Sequence, residues 1–160
     1  MLSPLLGEIK QSKPFLNLRE ELWLNLSRTA AAVGHGLEQQ LRPYGLSTTQ
    51  YNVLRILRGS GAEGLCQHEI GERLVAQVPD VPRILDRMER AGWIARERGT
   101  TDRRMVIASL TGEGARLVEE LDEPIVHMMN NMFQSLTDDE MMQVNVLLTA
   151  ARRGRASASD

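Results

Sequence analysis

The stretch VPRILDRMERAGWIARERGTTDRRMVIASLTGEG, Val81 to Gly114, changes its periodicity partway along, and that change decides the fold. Val81, Ile84, Leu85 and Met88 fall at i, i+3, i+4 and i+7, the spacing of one helical face, and Gly92 stands where a helix is stopped. Beyond Gly92 the runs WIARER and RMVIASL alternate faces as strands do, with Gly99-Thr100-Thr101-Asp102 as the turn between them. Thr111 is then placed to cap another helix. A short helix followed by a charged hairpin is therefore expected. From Arg83 to Arg104, seven arginines (83, 87, 90, 96, 98, 103, 104) face four acids (Asp86, Glu89, Glu97, Asp102), a local excess of three positive charges.

Upstream, LCQHEIGERLV carries Ile70 and Leu74 on a short helix beginning near Cys66, and Gln77 to Pro79 break it from the helix at 81. Ser47 caps TTQYNVLRILR, whose Val53, Leu54 and Leu57 make a buried stripe, and Gly59, Gly61 and Gly64 close it. Before Pro43, Tyr44 and Gly45, the residues Leu18, Leu22, Leu26, Ala30, Val33, Leu37 and Leu41 recur at steps of three and four, one long amphipathic helix. Residues 1–14, with Pro4, Gly7 and Pro14, read as an extended arm. Downstream of Thr111, Val118, Leu121, Ile125, Met128 and Met132 predict a single long helix close to a coiled-coil seam. Thr137 and Glu140 form a capping box for a last helix bearing Met141, Val144, Leu148 and Ala151, and residues 153–160 are expected to be a flexible tail.

Composition bounds the function. The 160 residues suit one domain with helical extensions, and 42% hydrophobic with 25% charged residues is globular. The net charge of -2 does not advertise a nucleic-acid partner, so any basic surface is local. All but Lys10 and Lys13 of the 19 basic residues are arginine, which suits phosphate and guanine contacts and equally follows from a biased genomic base composition. The single cysteine, Cys66, excludes an intramolecular disulfide framework and fits a reducing compartment. No run approaches a membrane span, and the chain is expected to be cytoplasmic with no membrane partner. No nucleophile elbow, phosphate-binding glycine loop or metal-ligand cluster occurs, so the expectation is a non-enzyme with no cofactor and no metal. His35, His68 and His127 lie in three separate elements without metal-binding spacing.

The order of elements is mainly α, reading α-α-α-α-β-β-α-α: a helix-turn-helix followed by a two-stranded wing, between long terminal helices. The motifs LSTTQYNVLRIL, EIGERL, RILDRMERAGWIARE and DRRMVIASLTGEG, in this order and spacing, resemble the MarR family of winged helix-turn-helix transcriptional regulators over about residues 18 to 152. The resemblance implies a homodimer on a pseudo-palindromic double-stranded operator. Residues 46–111 would form the DNA-binding lobe, and 15–45 with 112–152 a helical dimerisation region. The terminal helices also carry more apolar stripe than one small winged-helix core covers, which favours pairing of two copies.

On the helix near 80–91 the apolar stripe turns Arg83, Arg87 and Arg90 outward. Base contacts come from the N-terminal part of such a helix, so Gln77, Asp80 and Arg83, with Arg87, are the candidate DNA-binding residues, while Arg90 suits a phosphate or the helix end. Asp80 has two roles open, N-cap or acceptor from a cytosine amino group. Pro79 and Pro82 stand where the family often has Ser and Thr, and Pro82 requires the helix to start at about residue 80 to 82. In the wing, the resemblance implies that Asp102 holds Arg104 for the minor groove, with Arg98 and Arg103 on phosphates.

The resemblance also implies a repressor released by a small aromatic or phenolic, carboxylate-bearing effector. Trp23, His35, Tyr51 and Arg55 are wall candidates by position, and the residues assign no effector site. Two other readings stand beside this one: a thiol-based redox sensor through Cys66, near a helix N-terminus, and a winged-helix protein-interaction module without DNA binding.

Overall fold

A computed structural model of the chain describes residues 3–99 and 104–156. Helix α1 spans Pro4–Glu8, α2 Leu18–Leu41, α3 Thr48–Ser60, α4 Gln67–Arg73, α5 Val81–Arg90, α6 Gly112–Glu120, α7 Asp122–Phe133 and α8 Asp138–Ala156. Strands β1 (Leu65–Cys66), β2 (Ile94–Arg98) and β3 (Val106–Leu110) make one antiparallel sheet in the order β1-β3-β2. The chain is mainly α with a winged helix-turn-helix at its centre, as the sequence predicts.

Local chemistry accounts for most boundaries. Ser47 and Gln50 form a reciprocal capping box at the start of α3, Thr111 Oγ1 accepts from the Gly114 N–H, and Thr137 and Glu140 close the box that starts α8. Gly45, at φ 66°, turns the chain out of the short 3-10 segment Arg42–Tyr44. At the end of α5 the Trp93 N–H donates to Met88 O (3.0 Å) and the Gly92 N–H to Glu89 O (2.9 Å), a Schellman stop that uses the positive φ of Gly92. The hairpin pairs Ile94 with Leu110 through Arg98 with Val106, and the Gly99 N–H donates to Met105 O at 2.9 Å.

Four expectations are corrected. The arm at 1–14 contains a helix, because Ser3 caps it, Pro4 opens it, and Leu5 is buried. The wing has a third strand: Leu65 and Cys66 pair with Ala108 and Ile107, which brings the entry to α4 onto the hairpin. The expected single helix after Thr111 is divided at Leu121 into α6 and α7. Pro124 has no N–H to give the Glu120 carbonyl and disfavours helical angles at Glu123, so the α6 ladder does not run on. The last helix reaches Ala156, so residues 153–156 of the expected tail are helical.

By contacts the chain divides into two compact units, 1–125 and 126–160. Every buried apolar side chain among the described residues lies in the first unit, where Leu41, Val53, Leu54, Leu57, Ile70, Leu85, Met88, Ile94, Val118 and Leu121 form the core. The second unit, the rest of α7 with α8, has none among its described residues; Met129, Met142, Val146 and Leu147 are exposed. The first half of α2 is similar, with Leu18, Leu22 and Trp23 exposed, the last by 65%. Apolar side chains on the first half of α2 and on α8 thus remain exposed among the described residues.

Candidate nucleic-acid interface

Asp80 decides where α5 begins. Its carboxylate accepts from the Arg83 N–H at 3.1 Å, leaving Val81 and Pro82 as the first two helical residues. Those positions have no intrahelical use for an N–H, so Pro82 costs the helix nothing there. Capping is thereby the observed structural role of Asp80, whose side chain is nevertheless exposed.

Leu85 and Met88 anchor α5 in the core, and the opposite face presents Arg83, Arg87 and Arg90 to solvent. Among the described residues none of these three guanidiniums is held in an ion pair. Gln77 is exposed in the segment between α4 and α5, beside an open groove that also takes in His68 of α4 and Pro79 and Pro82. At the hairpin, Arg98 ends β2 and is exposed, and Arg104 is exposed just before β3. Asp102 and Arg103 lie outside the described residues, so the pairing of Asp102 with Arg104 has no geometry here. The structure therefore places Gln77, Asp80, Arg83 and Arg87 at one helix and its approach, and Arg98 and Arg104 on the hairpin whose strand β2 packs against that helix.

One residue that the sequence reading counted only as charge joins these two elements. Arg96 of β2 donates to Asp86 and to Glu89 of α5, each at 2.6 Å from its terminal nitrogen, and its Nε donates to Glu89 at 3.0 Å. The bond to Arg96 holds the Glu89 carboxyl below the ordinary glutamate range, and the same carboxylate, with Asp86, raises Arg96 further. The signal was weak in the sequence: acids three apart on a helix, then an arginine in a strand whose packing partner periodicity does not reveal.

The first unit also holds a cavity of about 200 Å³ lined by Leu37 of α2, Tyr51, Asn52 and Arg55 of α3, and Leu74, Val75 and Ala76 after α4. Asn52 Oδ1 accepts from the Val75 N–H at 2.9 Å, tying α3 to the segment that leads towards α5. The Arg55 guanidinium lies 6.0 Å from the centre of the Tyr51 ring, and burial pushes the Tyr51 phenol upward. Tyr51 and Arg55 thus share a cavity wall, whereas Trp23 and His35 are absent from its lining and His35 bonds Gln39 instead. His68 and His127 likewise meet neighbours one turn on, Glu72 and Asn131.

Cys66 is half-buried at the N-cap of α4, where its N–H donates to Glu69 at 2.8 Å; that bond holds the Glu69 carboxyl below its ordinary range. Among the described residues no helix is long and apolar enough to cross a membrane.

Comparison with known proteins gives a consistent result. A family model described as MarR family matches residues 46–106. The chain is 30% identical over 126 residues to the HTH-type transcriptional repressor MdtR of Bacillus subtilis (79% of this chain, 80% of that protein). It is 30% identical over 113 residues to the multiple antibiotic resistance protein MarR of Salmonella typhimurium (70% and 77%). Its fold is similar to that of a cysteine-to-serine mutant of MarR from E. coli complexed with operator DNA, with TM-score 0.75 and 23% identity over 93% of this chain and 99% of that one. It is also similar to the organohalide-sensing regulator RdhR-CbdbA1625 in its 2,4-dichlorophenol-bound form, with TM-score 0.80 and 23% identity over 93% and 90%.

Proposed function

The chain belongs to the MarR family of transcriptional regulators, and on that premise we propose that it is a homodimeric repressor that binds a pseudo-palindromic operator and is released by a small aromatic effector. The observation that carries DNA binding is the exposed set Arg83, Arg87 and Arg90 on a core-anchored helix, in no ion pair among the described residues, next to a hairpin bearing Arg98 and Arg104. In this reading α5 enters the major groove, with Gln77, Asp80, Arg83 and Arg87 near base edges and phosphates. The wing meets the adjacent minor groove through Arg104, steadied by Asp102, with Arg98 and Arg103 on phosphates. The similar MarR structure bound to operator DNA supports this arrangement.

The exposed apolar surface supports pairing of two copies. A unit such as 126–160, with no buried side chain among its described residues, gains its packing from a partner, and a second copy offers the same surfaces in a self-complementary way. Residues 15–45 and 112–152 would then form the dimerisation region and 46–111 the DNA-binding lobe. The chain's similarity to the repressor MdtR supports the sign of regulation.

In this reading the cavity beside Tyr51 and Arg55 takes the effector. Its apolar walls suit a ring, Arg55 suits a carboxylate or phenolate, and Val75 links it to the approach of the recognition helix. The neighbour bound to 2,4-dichlorophenol supports that ligand class.

Footprinting on the DNA upstream of the protein's own gene, repeated with aromatic acids, chlorophenols and an oxidant, tests the proposal. Protection of two half-sites about one helical turn apart, lost on adding an aromatic acid or phenol, is expected. Absence of salt-dependent binding to any duplex would instead favour a protein-interaction module, and loss of protection only with oxidant would favour Cys66 as sensor.

A further inference from the structure

Asp86 and Glu89 place two negative charges on the very helix that is proposed to approach DNA, one residue before Arg87 and Arg90. Asp86 is also three residues from Arg83 and four from Arg90, the distances at which helical side chains meet. Left alone, it would attract those guanidiniums and repel phosphates. Neither carboxylate is left alone, because Arg96 reaches both from β2.

The geometry of that contact does more than cancel charge. Arg96 grips Glu89 through two nitrogens and Asp86 through one, and its side chain is only 24% exposed, against 45% and 38% for the two acids. A planar guanidinium fork shared between two carboxylates fixes orientation as well as distance, which a lysine ammonium does not. Arg96 is itself held in the sheet, paired with Ala108 of β3. The clamp therefore runs from the helix, through Arg96, into the strand that carries Arg98 at its end.

We propose that Arg96 is a positioning residue for operator discrimination: it fixes the recognition helix against the wing and withdraws Asp86 and Glu89 from Arg83, Arg87 and Arg90, without itself touching DNA. The proposal rests on the DNA-binding reading above. It separates Arg96 from the other wing arginines, since a residue committed to two carboxylates is not a phosphate contact.

The test uses the full chain and two probes, a duplex of the DNA upstream of its own gene and a scrambled duplex of equal length and composition. Affinities are measured by fluorescence anisotropy over a salt series for the wild type, Arg96→Gln, Arg96→Lys, Glu89→Gln and the double variant Arg96→Gln/Glu89→Gln. Arg96→Gln is expected to weaken upstream-DNA binding by about tenfold or more, the scale of lost charge-assisted hydrogen bonds, and scrambled-duplex binding by less. The salt slope should stay at its wild-type value. Arg96→Lys should restore only part of the affinity. The double variant should bind better than the two single effects multiplied together, because neutralising Glu89 removes part of what Arg96 was needed for.

Glu89→Gln keeps the side chain's shape and is expected to lower discrimination in the same direction, so the test stands if Arg96→Gln proves unstable. A slope shallower by about 0.9, with equal losses on both duplexes, would make Arg96 a phosphate contact and overturn the proposal. Affinities within about twofold of wild type for Arg96→Gln and Glu89→Gln would also overturn it. If the wild type itself shows no salt-dependent binding to either duplex, the DNA-binding reading fails and this inference fails with it, an outcome distinct from the other two.

Discussion

The backbone carbonyl of Trp93 occupies the space into which a side chain at Gly114 would project. This close approach lays the first turn of α6 against the residue that follows the stop of α5. Thr111 reinforces it: its N–H donates to Trp93 O at 3.1 Å and its hydroxyl to Gly92 O at 2.6 Å. Gly114→Ala is therefore expected to destabilise the fold by about 1–3 kcal/mol, because backbone must shift to admit the methyl. Gly59→Ala, in α3 with nothing near its added carbon, should be neutral or stabilising by up to about 1 kcal/mol. Urea unfolding of the two variants checks this, and equal midpoints would contradict it.

Asp80 is a cap whose side chain is also exposed where α5 begins. Asp80→Ala should cost about 1 kcal/mol of stability. Asp80→Asn retains an acceptor for the Arg83 N–H and should leave stability nearly unchanged. A cap alone predicts that Asp80→Asn keeps the wild-type preference among operator variants; a changed preference at one base pair would assign Asp80 to readout as well.

Arg58 of α3 donates to Asp122 at the start of α7 at 2.6 Å, and this bond holds the Asp122 carboxyl below the ordinary aspartate range. A carboxylate with a lowered folded pKa leaves the unfolded chain binding more protons over that interval. Its contribution is fully present above the unfolded value, about 3.9, and is lost as pH falls through the lower folded value. The pair is nearly half exposed, so the contribution is at most about 1 kcal/mol. Asp122→Asn should lower stability at neutral pH and shrink its acid dependence below about pH 4, as read by thermal melts across a pH series.

Leu147 is 68% exposed in a unit with no buried side chain among its described residues. Under the proposed pairing it is covered by the second copy, and Leu147→Glu should shift the protein from dimer to monomer in light scattering and abolish tight operator binding. An unchanged dimer would move the interface away from this part of α8.

Arg116 pairs with Glu113 at 2.9 Å on α6, whereas Arg104 stands just before the start of β3. Arg104→Ala is expected to weaken operator binding more than Arg116→Ala and to make the salt slope shallower by up to about 0.9 if it meets a phosphate. Equal affinities at fixed salt would remove Arg104 from the interface.

The elements legible in the sequence are those specified by neighbours along the chain. Ser47 with Gln50, Thr111 with Gly114, and Thr137 with Glu140 are caps three residues apart, and the change of period at Gly92 needs nothing beyond the next ten residues. The candidate DNA contacts were legible for the same reason, since an apolar stripe on α5 leaves Arg83 and Arg87 on the other side. Pro124 marked the division at Leu121 too, but the heptad-like stripe through Leu121 and Ile125 obscured it.

What the sequence alone determined, then, is the succession of α2, α3, α4, α5 and the β2–β3 hairpin, the caps at Ser47, Thr111 and Thr137, and the outward face of α5, because these follow from interactions within a turn or two of chain. Only the tertiary structure decided that Leu65–Cys66 is a strand, that Arg96 binds Asp86 and Glu89, that Tyr51 and Arg55 share a cavity, and that apolar side chains on the first half of α2 and on α8 are exposed. A two-residue strand has no period of its own, and an ion pair between a helix and a strand depends on how the two elements pack. Whether an apolar stripe is covered depends on what lies across from it, which a pattern along one chain does not record.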